Sequence, residues 1–349
     1  MKRYYLYFFI WIFLSPIAHA QTVLSLSIEG SINPASAAFI HNGIEKAHQE
    51  KAQCLIIRLN TPGGLLESTR AIVSDILQSP VPVIVYVAPP GAHAGSAGVF
   101  VTLAADIAAM APGTNIGAAH PVSLQGPMDT VMNGKATNDA AAFIRTIAQK
   151  RKRNFTWAEE AVRKSLSITE NEALEQHVID LVASNDQDLL HKIDGKTIQL
   201  SSGQVTLHTK NAVINTYEMS YTESILNLIS DPNIAYIMLL IGIYGILFEL
   251  FNPGAILPGI AGVIALILAF YSMHALPVNY AGLALIVFGI ILFLLEIKIV
   301  SHGLLAVGGV ISLTLGSFML IRSGSSLEVV RISTSVIISA AVVSTLFFL

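Results

Sequence analysis

Cysteine is almost absent from this chain, since Cys54 is the only one among 349 residues. A lone cysteine cannot form a disulfide within the chain, so the fold is expected to depend on its apolar core. Cys54 lies in an apolar, strand-like run, and we interpret it as a small buried side chain. The histidines are scattered, no H-E-x-x-H pattern occurs and cysteine ligand sets are lacking, so we expect no metal site.

Charged side chains are scarce as well: they make up 12% of the residues, whereas hydrophobic side chains make up 53%. This composition is too apolar for one soluble domain. The net charge of -3 gives no electrostatic reason to bind a polyanion, so no nucleic-acid partner is expected. We interpret the basic run at 150–153 as the solvated end of a helix, where cations suit the negative end of the helix dipole. Neither a Walker loop nor a G-x-G-x-x-G loop occurs, so we expect no cofactor.

The N-terminus has the pattern of a secretory signal peptide. Lys2 and Arg3 precede the apolar run 4–14, and an A-x-A pattern follows at 18–20. We predict a signal peptide at residues 1–20 with cleavage before Gln21. An uncleaved anchor is the less favoured alternative, because the apolar run is too short to span a membrane comfortably. The domain that follows is therefore expected to face an extracytoplasmic space.

Strand-like and helix-like segments alternate over residues 21–216. Strands are predicted at 23–28, 54–60, 81–87 and 108–111, and helices at 34–51, at 65–78 and immediately after Ser96. We interpret the strands as apolar instead of alternating, which is typical of parallel strands that are covered on both faces. We therefore predict an α/β domain with a largely parallel sheet.

The second half of this domain is predicted to be mostly helical. A polar, glycine-containing loop is predicted at 121–134, and Thr137 is predicted to cap a helix at 138–151. Further helices are expected at 156–165 and 169–177, and short strands at 199–212. Residues 217–231 are expected to form a connector to the rest of the chain.

Residues 232–349 contain five apolar segments with almost no charge. The segments are 234–251, 255–273, 280–297, 304–321 and 333–349. Each approaches the roughly 20 residues that a membrane-spanning helix needs, so we predict an all-α bundle of about five transmembrane helices. Glu249 lies near the end of the first segment, and we interpret it as an interfacial residue instead of a functional one.

The signal peptide sets the expected orientation, with the α/β domain outside and the C-terminus on the cytoplasmic side. Loop charges do not decide the orientation, because Lys298 would lie inside whereas Arg322 and Arg331 would lie outside. The last apolar segment ends at Leu349 without a charged residue to anchor it. This indicates a chain cut short or a natural variant that lacks a further domain.

Ser96 lies in the small-residue stretch GAHAGSAG, where a strand-like run gives way to a helix-like one. Small neighbours let a substrate carbonyl approach, and the free N–H groups of a helix start hold an oxyanion well. The segment NTPGG at 60–64 ends a strand and opens the next helix, and its paired glycines allow N–H groups to be presented at close range. Taken alone, each pattern is also explained by an ordinary turn between a strand and a helix.

Five sequence blocks resemble the membrane-bound serine protease branch of the NfeD family. They are NTPGG, PPGAHAGSAG, MAPGTNIGAAHPV, ILFELFNPG and LPVNYAGLALI, so the likeness covers essentially the whole chain. The resemblance implies a ClpP/crotonase-like α/β domain and a long form that lacks the family's C-terminal OB-like domain. It implies a multi-pass protein of the bacterial inner membrane, in contact with membrane lipid, with the protease domain in the periplasm. It also implies a homodimer that acts on stomatin- or flotillin-like membrane proteins and cleaves their apolar segments.

Carried over to this sequence, the family's catalytic roles fall on four residues. Ser96 is implied as the nucleophile, Lys135 as the general base, and Gly64 and Ala97 as the source of the oxyanion-hole N–H groups. A lysine with an ordinary pKa of about 10.4 is charged at neutral pH and cannot take a proton. We therefore expect Lys135 to sit on the polar loop directly before the helix capped by Thr137, where apolar burial and the positive helix end would lower its pKa.

His120 is the alternative base, since it follows Ser96 at the interval seen in ClpP-type peptidases and needs no large pKa shift. Two other classes of function compete with the peptidase. One is a non-catalytic membrane scaffold for stomatin-like proteins, which the intact set of Ser96, Lys135 and glycines argues against. The other is acyl-CoA chemistry on a crotonase-like core, which the secretory signal argues against, because coenzyme A substrates are cytoplasmic.

Overall fold

The computed structural model describes residues 21–121, 130–252, 254, 256–274, 278–299, 301–321 and 332–348. The predicted signal peptide at 1–20 lies outside these residues, and so does the middle of the predicted polar loop, at 122–129.

The described residues form eleven strands and thirteen helices. The strands are β1 (Thr22–Glu29), β2 (Leu55–Asn60), β3 (Val83–Val87), β4 (His93–Gly95), β5 (Ile107–Met110), β6 (Asn115–Gly117), β7 (Ser167–Thr169), β8 (Leu181–Val182), β9 (Thr197–Leu200), β10 (Gly203–Thr206) and β11 (Val213–Thr216). The helices are α1 (Pro34–Gln49), α2 (Leu66–Gln78), α3 (Ala97–Ala104), α4 (Thr130–Lys150), α5 (Phe155–Arg163), α6 (Glu170–Glu175), α7 (Asp186–Ile193), α8 (Tyr221–Ile229), α9 (Pro232–Phe251), α10 (Ile256–His274), α11 (Tyr280–Lys298), α12 (Leu304–Leu320) and α13 (Thr334–Phe348).

The main sheet has six strands in the order β11-β1-β2-β3-β5-β8. All five neighbouring pairs are parallel, and helices connect the strands. The predicted α/β class with a largely parallel sheet is therefore confirmed. Because strands β1 to β3 run in the same direction, the loops after them meet at one edge of the sheet, where ligand and catalytic sites of such sheets lie.

Both faces of the main sheet are covered, which explains the continuous apolar strands. Along β3 every side chain is buried. Val83 and Val85 pack on one face with residues of α1, α2 and α3, whereas Ile84 and Tyr86 pack on the other face with residues of α7. Cys54 is fully buried in this second layer, as predicted.

A second, three-stranded sheet forms beside the first, in the order β4-β6-β7. Strand β4 is parallel to β6, and β6 is antiparallel to β7. We did not predict β4, because three residues rich in glycine and alanine carry no strand signal. This short strand matters for the site, since it ends at Gly95, directly before Ser96.

Helix α4 begins earlier than predicted. It starts at Thr130 and includes Thr137, so the expected cap at Thr137 and the expected loop over 130–134 are wrong. Lys135 consequently lies inside the helix, in its second turn, and not on a loop ahead of it. Apart from Val131 and Met132, the residues 130–137 are polar or small and show no repeating apolar face, which is why the sequence pattern placed the helix start too late.

The basic run at 150–153 is only in part the solvated helix end that we predicted: Lys150 and Lys152 are exposed, whereas Arg151 is half-buried and Arg153 is buried. Arg153 is only 5% exposed, and its guanidinium group donates to the carbonyl oxygens of Leu103 and Ala105 at 2.6 and 2.9 Å. Arg151 donates to the carbonyl oxygen of Ala104 at 2.7 Å and pairs with the buried carboxylate of Asp106. Both cations therefore satisfy the carbonyl end of α3 instead of the end of their own helix.

The predicted connector at 217–231 also has more structure than expected. It contains helix α8, which has a complete capping box at Ser220 and Glu223. Just before it, β11 pairs in parallel with β1 and forms the edge of the main sheet. The sequence pattern missed β11 because this edge strand is only four residues long, with two apolar residues followed by two polar ones.

Five apolar helices, α9 to α13, follow α8 within the described residues. Three of them, α9, α10 and α11, are long and apolar enough to cross a membrane. Helices α12 and α13 are apolar but shorter, so their crossing remains a prediction. The predicted all-α region with membrane-spanning helices after the α/β domain is confirmed.

The membrane helices form two hairpins that match each other in sequence. In the α9–α10 hairpin, a Cβ added at Gly242 would lie 3.0 Å from the carbonyl oxygen of Gly262. In the α11–α12 hairpin, a Cβ added at Gly289 would lie 2.9 Å from the carbonyl oxygen of Gly309. Both residues of the second pair lie 47 positions after their counterparts in the first. The region therefore contains a tandem repeat of a glycine-packed helical hairpin.

A carboxylate occupies the same place in both hairpins. Glu296 accepts hydrogen bonds from the N–H groups of Gly303 and Ala306 at the start of α12, at 3.0 and 3.3 Å. Glu249, also 47 positions earlier, places its carboxylate where a Cβ of Gly259 would be, in the first turn of α10. Each carboxylate thus lies at a positive helix start, which accounts for Glu249 without a catalytic role.

Candidate active site

Ser96 occupies a strained turn between β4 and α3. Its φ of 47° and ψ of -107° lie in the half of backbone space that favours glycine, which costs about 1–3 kcal/mol for another residue. It is the N-cap of α3, yet its hydroxyl makes no capping hydrogen bond. The Ser96 N–H donates to the carbonyl oxygen of Gly117 at 3.0 Å, which holds the turn against β6. The turn therefore presents a half-buried hydroxyl that is not used to cap the helix.

The paired glycines of NTPGG lie directly against this serine. Gly63 has a φ of 139°, and a Cβ added to it would lie 2.7 Å from Ser96 Cβ, 3.2 Å from Ser96 Oγ and 3.7 Å from Ala97 N. Gly64 has a φ of 159°, and a Cβ there would collide with the backbone of Ile32. Only glycine at both positions allows the loop to pass this close to the serine.

Two backbone N–H groups beside Ser96 remain available. None of the hydrogen bonds among the described residues uses the N–H of Gly64 or of Ala97. Ala97 is the first residue of α3, and the first N–H groups of a helix have no partner within it. A pair of such donors next to a nucleophile is the arrangement that stabilises a tetrahedral oxyanion.

The loop that carries these glycines is held on the serine side by Thr61. Its hydroxyl donates to the carbonyl oxygen of Gly63 at 3.0 Å and accepts from the Gly63 N–H at 3.1 Å. Its backbone N–H donates to His93 at 2.9 Å, and its carbonyl accepts from Gly95 at 2.9 Å. We did not single out Thr61 or Gly63 from the sequence, although both lie within the NTPGG motif. Their role depends on the pairing of this loop with β4, which was not predicted.

The same loop is held on its other side by the chain that follows β1. The Ile32 N–H donates to the Gly63 carbonyl at 2.7 Å, and the Leu65 N–H donates to the Ile32 carbonyl at 2.9 Å. The loop is thus fixed from both sides before any substrate binds. Pre-organised donors of this kind stabilise developing charge without a cost of reorganisation.

Helix α4 brings Lys135 towards the Ser96 end of α3. The C-terminal ends of α3 and α4 meet where Arg151 binds the Ala104 carbonyl, and Phe143 stacks on Phe100 one turn after Ser96, with ring centroids 5.6 Å apart. Asp139, one turn after Lys135 on the same face, pairs with Arg70 of α2 at 2.6 Å. The helices therefore run alongside each other in the same direction, so the end of α4 that carries Lys135 is on the same side as the end of α3 that begins after Ser96.

The hydroxyl of Ser96 is not hydrogen-bonded to either candidate base in the described part of the chain. Among the described residues, Ser96 Oγ makes no hydrogen bond to Lys135 or to His120. Lys135 is exposed, so the apolar burial that we predicted for it is not supplied by the described part of this chain. Its exposed position and its place in the second turn of α4 both correct the prediction of a base buried ahead of a helix.

His120 is half-buried and already committed to a backbone contact. Its Nδ1 lies 2.9 Å from the carbonyl oxygen of Val162. A carbonyl only accepts, so Nδ1 carries the proton and Nε2 is the basic nitrogen. The next residue back, Ala119, donates to the carbonyl of Ala161 at 2.9 Å, which fixes this segment on α5.

Models of two protein domains match the chain, one over each of its regions. The model described as NfeD1b, N-terminal domain, matches residues 22–217, and the NfeD integral membrane domain matches residues 233–349. Membrane-bound protease PH1510 of Pyrococcus horikoshii is 37% identical over 329 residues, which cover 93% of this chain and 75% of that protein. Membrane protein NfeD1b of Bacillus subtilis is 32% identical over 342 residues, which cover 96% of this chain and 74% of that protein.

A solved structure matches the α/β domain. It is a lysine-to-alanine mutant of the 1510-N membrane-bound stomatin-specific protease in complex with a substrate peptide, and a serine-to-alanine mutant of the same protease has also been solved. The first matches with a TM-score of 0.55 and 36% identity, over 60% of this chain and 97% of that chain. Ser96 is half-buried in a strained turn, and the N–H groups of Gly64 and Ala97 make no hydrogen bond among the described residues. Such a serine, on a chain that continues into helices long and apolar enough to cross a membrane, is typical of a membrane serine protease. The chain belongs to the NfeD family, and it is an enzyme of this class.

Proposed function

We propose that the chain is an endopeptidase in which Ser96 attacks a peptide carbonyl and Lys135 acts as the general base. The N–H groups of Gly64 and Ala97 would bind the oxyanion of the tetrahedral intermediate. The observation that carries the proposal is the contact between Gly63 and Ser96, because it places a glycine loop with a free N–H next to a strained serine. Lys135 would return the proton to the leaving amine, and water would then release the acyl group by the reverse path.

Lys135 is preferred over His120 for two reasons. Helix α4 runs alongside α3 in the same direction, and we expect it to bring Lys135 close to Ser96. In the related 1510-N protease, a peptide complex was obtained with a lysine replaced by alanine. Because Lys135 is exposed in the free chain, we propose that bound substrate excludes water from it and so favours the neutral amine that a base requires.

The substrate that fits best is an apolar segment of a membrane protein. Large apolar side chains are exposed near the proposed base and the glycine loop: Val131 and Met132 lie one turn before Lys135 and are 62% and 60% exposed, and Leu66 follows Gly64 and is 40% exposed. An apolar peptide would cover them and desolvate the site at once. The specificity of the related protease for a stomatin homologue supports a stomatin- or flotillin-like protein as the substrate or partner.

We place the enzyme in the bacterial inner membrane as a multi-pass protein, with the protease domain in the periplasm and the chain working as a homodimer. In this proposal residues 1–20 are the signal peptide, 21–216 the protease domain, 217–231 the connector and 232–349 the membrane region of five helices. The connector includes α8, so it is a structured element between the two regions.

The decisive experiment measures cleavage of an apolar peptide by the full chain in lipid nanodiscs. Ser96→Ala and Lys135→Ala should each lower kcat/KM by about 10³-fold or more, because nucleophile and base act as one unit. Lys135→Arg should be as inactive as Lys135→Ala, because an arginine keeps the charge but does not release its proton. Lys150→Ala, an exposed lysine on the same helix, is the matched control and should keep its activity.

The alternatives predict different results in the same assay. If His120 were the base, His120→Ala would lose as much activity as Ser96→Ala and Lys135→Ala would not. If the chain were a non-catalytic scaffold for stomatin-like proteins, wild type and Ser96→Ala would give equal cleavage.

A further inference from the structure

Helix α8 exposes a narrow apolar stripe immediately before the first membrane helix. Tyr221, Ile225 and Leu228 are spaced one turn apart along it and are 93%, 56% and 57% exposed. Such exposure of three neighbouring large side chains is costly in water, and a spacing of four and three residues places all three on one side of the helix. The stripe is therefore a surface that needs a cover.

The opposite side of α8 is fixed to the protease domain. The buried carboxylate of Glu223 accepts a hydrogen bond from Asn42 of α1 at 2.6 Å. The amide of Asn33, the N-cap of α1, donates to Asn227 at 3.2 Å. Glu223 and Asn227 are one turn apart, and both lie on the far side of the helix from the stripe. The stripe consequently faces away from the α/β domain.

The start of α9, the end of α10 and the chain entering α13 all lie at the same end of the helical region, next to α8. Helix α9 starts at Pro232, three residues after α8 ends, and Ser272 near the end of α10 donates to the carbonyl of Ile229 at 2.6 Å. The chain entering α13 is on the same side, since the Ser333 N–H donates to Asn233 at 2.7 Å. The end of α8 therefore lies beside the start of α9 and the end of α10.

We propose that α8 is an interfacial helix that inserts Tyr221, Ile225 and Leu228 into the lipid surface and holds the active-site edge of the protease domain against the membrane. A tyrosine at the level of the head groups and apolar neighbours below it are the chemistry that a bilayer interface accepts. Three side chains are far fewer than the roughly 20–30 residues a side that a stable protein interface uses, so lipid fits better than a second copy.

The connection to the active site is short. Asn33, which binds Asn227 of α8, follows Ile32, and Ile32 pairs by two hydrogen bonds with the Gly63–Leu65 loop. The loop proposed to form the oxyanion hole is therefore one residue away from the contact with α8. This part of the inference rests on the proposed function, and it places the proposed scissile bond close to the bilayer surface.

A single-cysteine experiment tests the position of α8 without any measurement of cleavage. Cys54 is fully buried, so an introduced exposed cysteine is labelled selectively. Ile225→Cys is prepared in the full chain, labelled with an environment-sensitive fluorophore and placed in nanodiscs that contain nitroxide lipids. The matched control is Val213→Cys, which is 52% exposed on β11 at the start of β1, the edge of the sheet away from the site.

The expected result is strong nitroxide quenching at position 225 and none at 213, with a water-soluble maleimide reacting at least tenfold more slowly at 225. Equal reaction with the maleimide and no quenching at either position would overturn the inference. Protection of position 225 from both maleimide and nitroxide lipid would overturn it too, because a second copy or another protein would then be the cover. Quenching at 225 combined with equal cleavage by wild type and Ser96→Ala would leave the lipid contact standing and remove the protease mechanism.

Discussion

The α/β domain and the membrane region differ in which side chains are buried and in which residues make the close contacts between elements. In the α/β domain large aliphatic side chains are inside, as β3 shows with all five residues buried. In helix α9 only 28% of the apolar stretch is buried inside the protein, and glycines make the close contacts with α10. Water drives apolar groups together, whereas lipid is as apolar as leucine, so membrane helices associate through close backbone packing instead.

Charge follows the same division. In the α/β domain the buried Asp106 is paired with Arg151, and burial raises the pKa of the Asp106 carboxyl above its ordinary value. In the membrane region the carboxylates of Glu249 and Glu296 have no cationic partner nearby in the described residues and rest on helix starts instead. In the core of the α/β domain a carboxylate is stabilised by an ion pair. In the membrane region a carboxylate is stabilised by the positive end of a helix dipole, where the chain turns between two helices.

The largest expected effect on stability is at the buried ion pair. Arg151→Ala removes the partner of Asp106 and the donor to the Ala104 carbonyl, and it should lower the free energy of unfolding by about 3–5 kcal/mol. A urea titration of the detergent-solubilised chain measures the change. The neighbouring exposed residue gives the control, Lys150→Ala, which should change the free energy by less than about 0.5 kcal/mol. Equal changes for the two variants would mean that the pair adds nothing.

A matched pair of truncations tests the contrast between the two regions directly. Ile57→Ala, in the core of the α/β domain, should cost about 2–5 kcal/mol, because it leaves a cavity at a fully buried position. Ile311→Ala, 55% exposed on α12, should cost far less, because lipid replaces the lost contacts. Unfolding of both variants is compared in the same detergent. A similar loss for both would show that Ile311 is covered by protein.

The glycine against the serine should affect catalysis more than folding. Gly63→Ala would place a Cβ 2.7 Å from that of Ser96, so the loop and the serine must separate. We expect kcat/KM for an apolar peptide to fall by about 10²-fold, in the range for loss of one oxyanion-hole donor. Gly91→Ala is the control, because Gly91 is also in a positive φ, at 89°, but has open space around it. Full activity of Gly63→Ala would argue against the oxyanion role of this loop.

A smaller effect is expected at the glycines between membrane helices. Gly282→Ala would bring a Cβ to 2.6 Å from the Leu320 N atom, so α11 and α12 must move apart, at a cost of about 1–3 kcal/mol. Gly308→Ala meets only the flexible end of Leu292 at 3.3 Å and should be nearly neutral. Thermal unfolding in detergent separates the two. Equal behaviour of the two variants would argue against close backbone packing at Gly282 between α11 and α12.

Sequence reasoning worked best where one local rule governs an element. A continuous apolar run identified β3, because parallel strands covered on both faces are apolar throughout. It failed where a contact between distant segments decides the outcome. The strand β4 and the burial of Arg153 each depend on a partner far away in the chain, and no local pattern encodes such a partner.

The features of the proposed site also fall into two groups, those that could be predicted from the local sequence and those that depend on contacts between distant segments. The motif at 60–64 could be recognised from the sequence, since Gly63 and Gly64 adopt backbone angles that favour glycine. The small residues around Ser96 could be recognised from the sequence as well. Only the packing of strands and helices decides three further features. These are the distance of that motif from Ser96 Oγ, the position of Lys135 on α4 and the contact of α8 with α1. The conformational preference of each residue is encoded locally, whereas the distances between distant segments are set by how they pack in a shared core. This is why the sequence predicted which residues carry the chemistry but did not predict their geometry.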